Sequence, residues 1–165
     1  MIKHILVAVS HDADCAALRF AIGQAREHDA YVSVLHVVDW MPQVIVAECQ
    51  DFGPMLACLQ AHGQDIVGDV ARKLDDAGCR GQAKMITLSV KDFTVGKAIA
   101  NFAHEVGADM IVLGKAKSAW WRWFGGNVYS EVQRHSDTKL LFASGAKTLA
   151  RTIARPLARL AMSHG

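Results

Sequence analysis

Five short apolar runs recur along this chain, and several of them show no alternation between apolar and polar residues. An unbroken run of this kind is typical of a strand that is buried on both faces, as in a parallel sheet covered by helices. The pattern therefore predicts five strands, at residues 5–9, 31–38, 85–90, 109–113 and 140–143.

Between these runs lie amphipathic stretches in which apolar residues recur every three or four positions, the spacing of one helix face. Gly63 and Gly68 fall inside the longest stretch, and each lowers helix propensity by up to about 1 kcal/mol relative to alanine. Strands that alternate with helices predict an α/β fold, with a single doubly wound five-stranded parallel sheet and helices on both faces. The predicted helices span residues 16 to about 28, 56–74, 95–106 and 128–135.

Composition narrows the class of protein. The chain has 165 residues, 52% of them hydrophobic, so it can bury a core as one domain. Its net charge of +2 is too small to predict specific nucleic-acid binding. The first residues show no signal-peptide pattern and no apolar stretch reaches a membrane-spanning length, so we expect a cytoplasmic protein. The 4 cysteines lack metal-ligand spacing, and we expect reduced, inert thiols and no metal site.

Candidate ligand-binding residues follow the predicted strands, because open α/β sheets bind ligands beyond the carboxyl ends of their strands. Ser10 follows the first strand, Asp39 the second and Gly114 the fourth. Gly114 opens a segment that contains Lys117 and leads to a helix beginning near Gly126. A helix amino terminus with nearby lysines suits an anion or a nucleotide phosphate. The alternative is that these glycines serve only turns and the start of the helix.

Four segments resemble the universal stress protein family in their order and spacing, namely residues 5–9, 35–39, 107–114 and 126–128. The resemblance covers residue 2 to about residue 144. It implies a Rossmann-like domain similar to the nucleotide-binding α-hydrolase folds, and a role in the stress response. It also implies a homodimer formed along the last strand, from Leu140 to Ala143. One branch of the family binds ATP and another does not.

The ATP-binding branch carries a motif of three glycines followed by serine or threonine, and this chain matches it incompletely. Gly114 matches the first glycine, Lys117 replaces the second, Gly126 matches the third one residue early, and Asn127 replaces the hydroxyl residue. Ser10 stands where the family has an aspartate. The resemblance therefore implies a degenerate site for ATP or a related adenine nucleotide. It would be lined by Ala8, Val9, Ser10, Val37, Gly114, Lys117, Gly126, Asn127 and Val128.

Two further segments suggest contacts with partners. Trp120, Trp121 and Trp123 lie within four residues, a cluster that suits packing against the domain or a protein interface. Residues 147–165 form a basic amphipathic tail with four Lys or Arg residues and no Asp or Glu, interrupted by Pro156. This pattern suits a C-terminal helix that lies on the domain or on a partner subunit, and the alternative is a segment that binds a membrane surface or an acidic partner. We therefore divide the chain into a domain at residues 1–146 and a tail at residues 147–165.

Catalytic residues are not evident, because no nucleophile motif or carboxylate pair occurs at a strand end. The principal hypothesis is a non-enzymatic, dimeric stress-response or signalling protein. One alternative is an ATP-binding protein that hydrolyses slowly. Another is an interaction module that docks onto a membrane protein through the tryptophan cluster and the tail.

Among the histidines, His11 is a candidate ligand contact and His36 is predicted to be a hydrogen-bonded core residue.

Overall fold

The structure is a computed structural model that describes residues 1–10, 16–40, 53–88, 94–114 and 128–143. Within these ranges the chain alternates strands and helices, as the hydrophobic pattern predicts. In chain order the elements are β1 (His4–Val9), α1 (Ala16–His28), β2 (Tyr31–Val38), α2 (Gly53–Asp76), β3 (Gly81–Thr87), α3 (Val95–Val106), β4 (Met110–Gly114), α4 (Val128–His135) and β5 (Lys139–Ala143).

The five strands form one parallel sheet in the order β3-β2-β1-β4-β5. β1 lies at the centre, where Ala8 is opposite Leu35 of β2 and Leu113 of β4. Helices cover both faces of this sheet. The predicted fold class, a single doubly wound five-stranded parallel sheet, is therefore confirmed.

Alternate residues of each strand point to opposite faces and enter two separate cores. On one face, Val7 and Val9 join apolar residues of α1 and α2 such as Leu18 and Val70. On the other face, Leu6 packs with residues of α3 and α4, among them Ile99, Phe102 and Val132. Because both faces of the sheet are buried, the central strands need no polar residues, which explains the unbroken apolar runs.

The third strand was predicted at residues 85–90, and this is wrong at both ends, since β3 spans Gly81–Thr87. Its first residues, such as Gly81 and Lys84, are not apolar, yet they pair in register with Val32 and Leu35 of β2. β3 is an edge strand with much of its surface exposed, so its sequence lacks the apolar signal of a central strand. Residues 89 and 90 lie outside the described residues.

Other boundaries differ by a few residues. α2 extends beyond the predicted 56–74, β4 begins at Met110 rather than at residue 109, and β5 begins one residue earlier than predicted. The bounds of α3 and α4 are as predicted. α3 begins after the N-cap Thr94, whose hydroxyl accepts a hydrogen bond from the Lys97 N–H at 3.2 Å.

Asp109 immediately precedes β4, and its carboxylate ties the first strand in place. It accepts hydrogen bonds from the main-chain N–H groups of Lys3 at 2.7 Å and His4 at 3.0 Å. The Asp109 N–H in turn donates to the His4 carbonyl oxygen at 2.9 Å. The two N–H donors stabilise the ionised form and hold the pKa of Asp109 below its usual value.

Arginine side chains tie other elements together at the same edge of the sheet. Arg26, in the last turn of α1, donates from Nη2 to the Ala77 carbonyl oxygen at 2.6 Å, just beyond the end of α2. Arg80 pairs with the Asp29 carboxylate at 2.9 Å. These contacts connect the ends of α1 and α2 to the start of β3.

Candidate functional site

The direction of the chain across the sheet reverses between β1 and β4. From β1 the chain adds β2 and then β3 on one side, and it returns past β1 to form β4 and β5 on the other. Ligands of open α/β sheets bind outside the carboxyl ends of the strands at this switch point. Ser10 and Gly114 flank it, because Ala8 is paired with Leu113, the residue before Gly114.

The structure brings several of the predicted site residues to this edge. Ala8 and Val37 are half-buried and lie on the face covered by α3 and α4, whereas Val9 is buried on the opposite face. Ser10 is exposed. Val128 is the first residue of α4 and is half-buried. The remaining predicted residues, Lys117, Gly126 and Asn127, lie outside the described residues.

Gly114 has no conformational need to be glycine. Its backbone does not adopt the left-handed conformation, in contrast to Gly107, where φ is 64°. Among the described atoms, a β-carbon built at Gly114 would meet only Cβ of Ala17, at an ordinary distance of 3.7 Å. The described atoms therefore leave room beside the Gly114 backbone.

His36 lies beneath the carboxyl end of β1. Its imidazole is buried, and Nδ1 is 3.2 Å from the Val9 carbonyl oxygen, so the Nδ1–H donates to that oxygen. The prediction of a hydrogen-bonded core histidine is confirmed. α2 approaches it closely at Gly63, where a β-carbon would lie 2.6 Å from Sδ of Met85 and 3.0 Å from Cδ2 of His36. Gly63 therefore lets the helix contact the sheet, which offsets its low helix propensity.

Trp40 contributes to the same edge and was missed by the sequence analysis. Its indole N–H donates to the Leu88 carbonyl oxygen at 2.7 Å, and the Leu88 N–H donates to the Val38 carbonyl oxygen at 2.9 Å. These bonds join the ends of β2 and β3. An aromatic residue directly after Asp39, which follows the strand, was the available signal.

The first turns of α3 and α4 meet beside the switch point. The Thr94 hydroxyl, which caps α3, also lies 3.5 Å from Oε2 of Glu131 in the first turn of α4. Two basic side chains of α4 contact the same carboxylate, Arg134 at 2.8 Å and His135 at 3.6 Å. α4 therefore begins at a defined place next to α3.

One model of a protein family matches most of this chain. The model, described as the universal stress protein family, covers residues 1–143. The chain belongs to the universal stress protein family. No curated protein matches the chain.

Solved structures agree with this universal stress protein fold. A family member from Burkholderia pseudomallei is 20% identical, with a TM-score of 0.68 over 86% of this chain and 95% of that one. UspA from Lactobacillus plantarum is 22% identical, with a TM-score of 0.68 over 87% and 98%. A universal stress protein from Archaeoglobus fulgidus in complex with dAMP is 22% identical, with a TM-score of 0.58 over 87% and 100%. At these identities the likeness shows the fold.

The described parts of this universal stress protein offer few groups for other chemistry. They contain no group of three or more His, Cys, Asp or Glu side chains placed to hold a metal ion. None of the described helices is both long and apolar enough to cross a membrane. Cys58 and Cys79 are free thiols. His11, the tryptophan cluster and the tail lie outside the described residues.

A surface depression of about 440 Å³ lies at the opposite end of the sheet from the switch point. It is lined by residues from the ends of α3 and α4 and from the connections to β4 and β5, including His104, His135 and Asp137. Its lining residues lie near the starts of β4 and β5, so the depression is separate from the edge where Ser10 and Gly114 lie. The candidate site is therefore the switch point rather than this depression.

Proposed function

We propose that this universal stress protein is a non-enzymatic stress-response protein that binds an adenine nucleotide at the switch point and signals through its occupancy. The observation that carries the proposal is the open backbone at Gly114. This residue ends a buried strand beside β1, and neither its conformation nor its described neighbours require glycine. A ligand that approaches the main chain closely would require it.

The neighbouring residues suit the parts of a nucleotide. Half-buried Ala8 and Val37 offer apolar surface to a base, and the exposed Ser10 offers a hydroxyl to a polar group. α4 begins at Val128, and the free N–H groups of a helix amino terminus suit a phosphate. The dAMP bound to the Archaeoglobus fulgidus relative supports the same class of ligand.

The departures from the ATP-binding motif favour a monophosphate over a triphosphate. Lys117 replaces a glycine whose missing side chain leaves room for phosphates, and Asn127 replaces a hydroxyl residue at the start of α4. A longer chain of phosphates needs more of this room than the single phosphate of AMP. We therefore propose that the site is degenerate for ATP but competent for AMP.

We also propose that the protein acts as a homodimer formed along β5. β5 is the terminal strand of the described sheet, and an edge strand offers main-chain N–H and C=O groups to a second copy. The contact would run from Leu140 to Ala143. Light scattering at several concentrations tests this, and the mass of a single chain throughout would contradict it.

Ligand binding is tested by thermal unfolding and calorimetry with AMP and with ATP plus Mg²⁺. A ligand at 100 times its dissociation constant should stabilise the fold by about 2.7 kcal/mol. The sharpest variant is Gly114→Ala, which adds one methyl group where the described structure has room for it. We expect AMP affinity to fall about tenfold through one lost close contact, with the melting temperature unchanged or raised.

Gly68→Ala is the matched control, because a β-carbon at Gly68 would meet nothing within 4 Å and the residue lies in α2, outside the site. It should leave AMP affinity unchanged. No stabilisation of the wild type by either nucleotide at millimolar concentration would contradict the proposal. Tighter binding of ATP than of AMP, with release of phosphate, would instead support the hydrolysing alternative.

A further inference from the structure

α4 is short, and its position depends on what it packs against. It has eight residues, too few to be stable as an isolated helix. Val132 anchors one side of it in the core shared with α3, where this side chain is only 1% exposed. The contacts with α3 therefore decide where the first turn of α4 lies relative to the switch point.

Gly96, in the first turn of α3, makes a close contact with α4. A β-carbon at Gly96 would overlap Cβ of Glu131, and it would lie 2.9 Å from the Val128 carbonyl oxygen and 3.2 Å from the Val132 nitrogen. These are main-chain atoms and the stem of a side chain, so rotation of a flexible side chain cannot relieve the contact. The backbone of α4 therefore rests directly on the backbone of α3 at this glycine.

A hydrogen bond from Thr94, two residues before Gly96, reinforces this contact. Thr94 both caps α3 and donates from its hydroxyl to the Glu131 carboxylate at 3.5 Å. Glu131 is only 19% exposed. The packing at Gly96 sets the distance between the two helices, and the Thr94–Glu131 bond limits how α4 can rotate about that point.

We propose that Gly96 is a positioning residue for phosphate recognition, because it sets the place of the α4 amino terminus at the switch point. The inference rests on the proposed function, since it concerns the same nucleotide site. Gly96 does not contact the nucleotide. It acts through α4, whose main-chain N–H groups in the first turn, beginning at Val128, would bind the phosphate.

A methyl group at Gly96 should displace α4. Carbon atoms in contact lie about 3.5–4.0 Å apart, so relief of the overlap requires a shift on the order of 1 Å. Hydrogen bonds from main-chain N–H groups to a phosphate depend steeply on distance and angle, and such a shift would weaken them. The base and ribose, which would lie against β1 and β2, should be little affected.

The test compares AMP with adenosine, which lacks the phosphate, in the wild type and in Gly96→Ala. The measured quantity is the ratio of the two dissociation constants, obtained by calorimetry. We expect adenosine affinity to change less than twofold and the preference for AMP to fall about tenfold, equivalent to one charged hydrogen bond. Gly68→Ala, the same substitution at an open helical glycine, should leave the ratio unchanged.

Thr94→Val is a second variant, which removes the hydroxyl link to Glu131 without changing the charge near the phosphate and leaves Gly96 in place. It should lower the AMP preference in the same direction, by about threefold, and it serves if Gly96→Ala does not fold. An unchanged ratio, or an equal loss of AMP and adenosine affinity, in the folded variant would overturn the inference. Equal binding of AMP and adenosine by the wild type would overturn it while leaving nucleoside binding intact. Failure of the wild type to bind either ligand would overturn the proposed function itself.

Discussion

The two edges of the sheet are built in different ways. At the edge where the strands begin, polar side chains bind main-chain groups, as Asp109 binds the start of β1 and Arg26 binds the carbonyl of Ala77. At the edge where the strands end, the described helices approach closely at glycines. Gly63 brings α2 against His36, and Gly96 brings α4 against α3.

This difference affects how much movement each edge tolerates. Exposed polar contacts at the first edge each contribute little and tolerate small movements. Close packing at the second edge tolerates less movement, because packed interiors respond even to a single added methyl group. We therefore expect the largest effects of substitution at the glycine contacts and the smallest at the exposed arginines.

The largest effect is expected for Gly63→Val. The added side chain would collide with Met85, His36 and Val38, where even a β-carbon lies at 2.6–3.1 Å from the nearest atoms. We expect a loss of about 2–3 kcal/mol in the free energy of unfolding, as for overpacked core sites. Urea denaturation measures it. Gly68→Val in the same helix is the matched control and should be neutral or stabilising, so equal losses in the two variants would refute close packing at Gly63.

A smaller effect is expected for Asp109→Asn, and it should depend on pH. The pKa of Asp109 is lowered in the folded state by its two N–H donors, so the carboxylate stabilises the fold above the unfolded pKa of about 3.9. This stability is lost as the pH falls through the still lower folded pKa. At pH 7 the variant should be less stable by about 1 kcal/mol, a value kept small by the exposure of the group.

The difference between wild type and Asp109→Asn should therefore shrink below about pH 4. Thermal unfolding from pH 7 down to pH 3 measures this. Asp65→Asn, which removes the same charge from an exposed position on α2, is the control for net charge. A difference that stays constant across the range would show that the ionised carboxylate is not what ties β1 to β4.

The smallest effect is expected for Arg26→Met, which keeps the aliphatic stem and removes both guanidinium bonds to the Ala77 carbonyl oxygen. We expect a loss of about 0.5–1 kcal/mol, the net value of an exposed hydrogen bond. Arg72→Met removes a pair with Asp69 within one helix, which should contribute only about 0.2–0.5 kcal/mol. Unfolding in urea should rank the two variants in this order. The opposite order would show that contacts between elements at this edge are no stronger than those within a helix.

The hydrophobic pattern alone determined the fold class, because strands buried on both faces have unbroken apolar runs and helices have periodic ones. It located β2, α3 and α4 at their observed bounds. It failed at the start of β3, where Gly81 and Lys84 pair along an edge strand and need not be apolar. Main-chain pairing, which leaves no trace in hydropathy, decided that boundary.

The position of the candidate site could likewise be predicted from the order of the strands along the chain. Ser10, Asp39 and Gly114 could be predicted because residues that end parallel strands must lie at one edge of a sheet. The roles of Gly63 and Gly96 could not, because in sequence each is only a poor helix former. Which surface a helical glycine faces depends on elements distant in the chain, and only the tertiary structure shows that one faces His36 and the other faces Glu131.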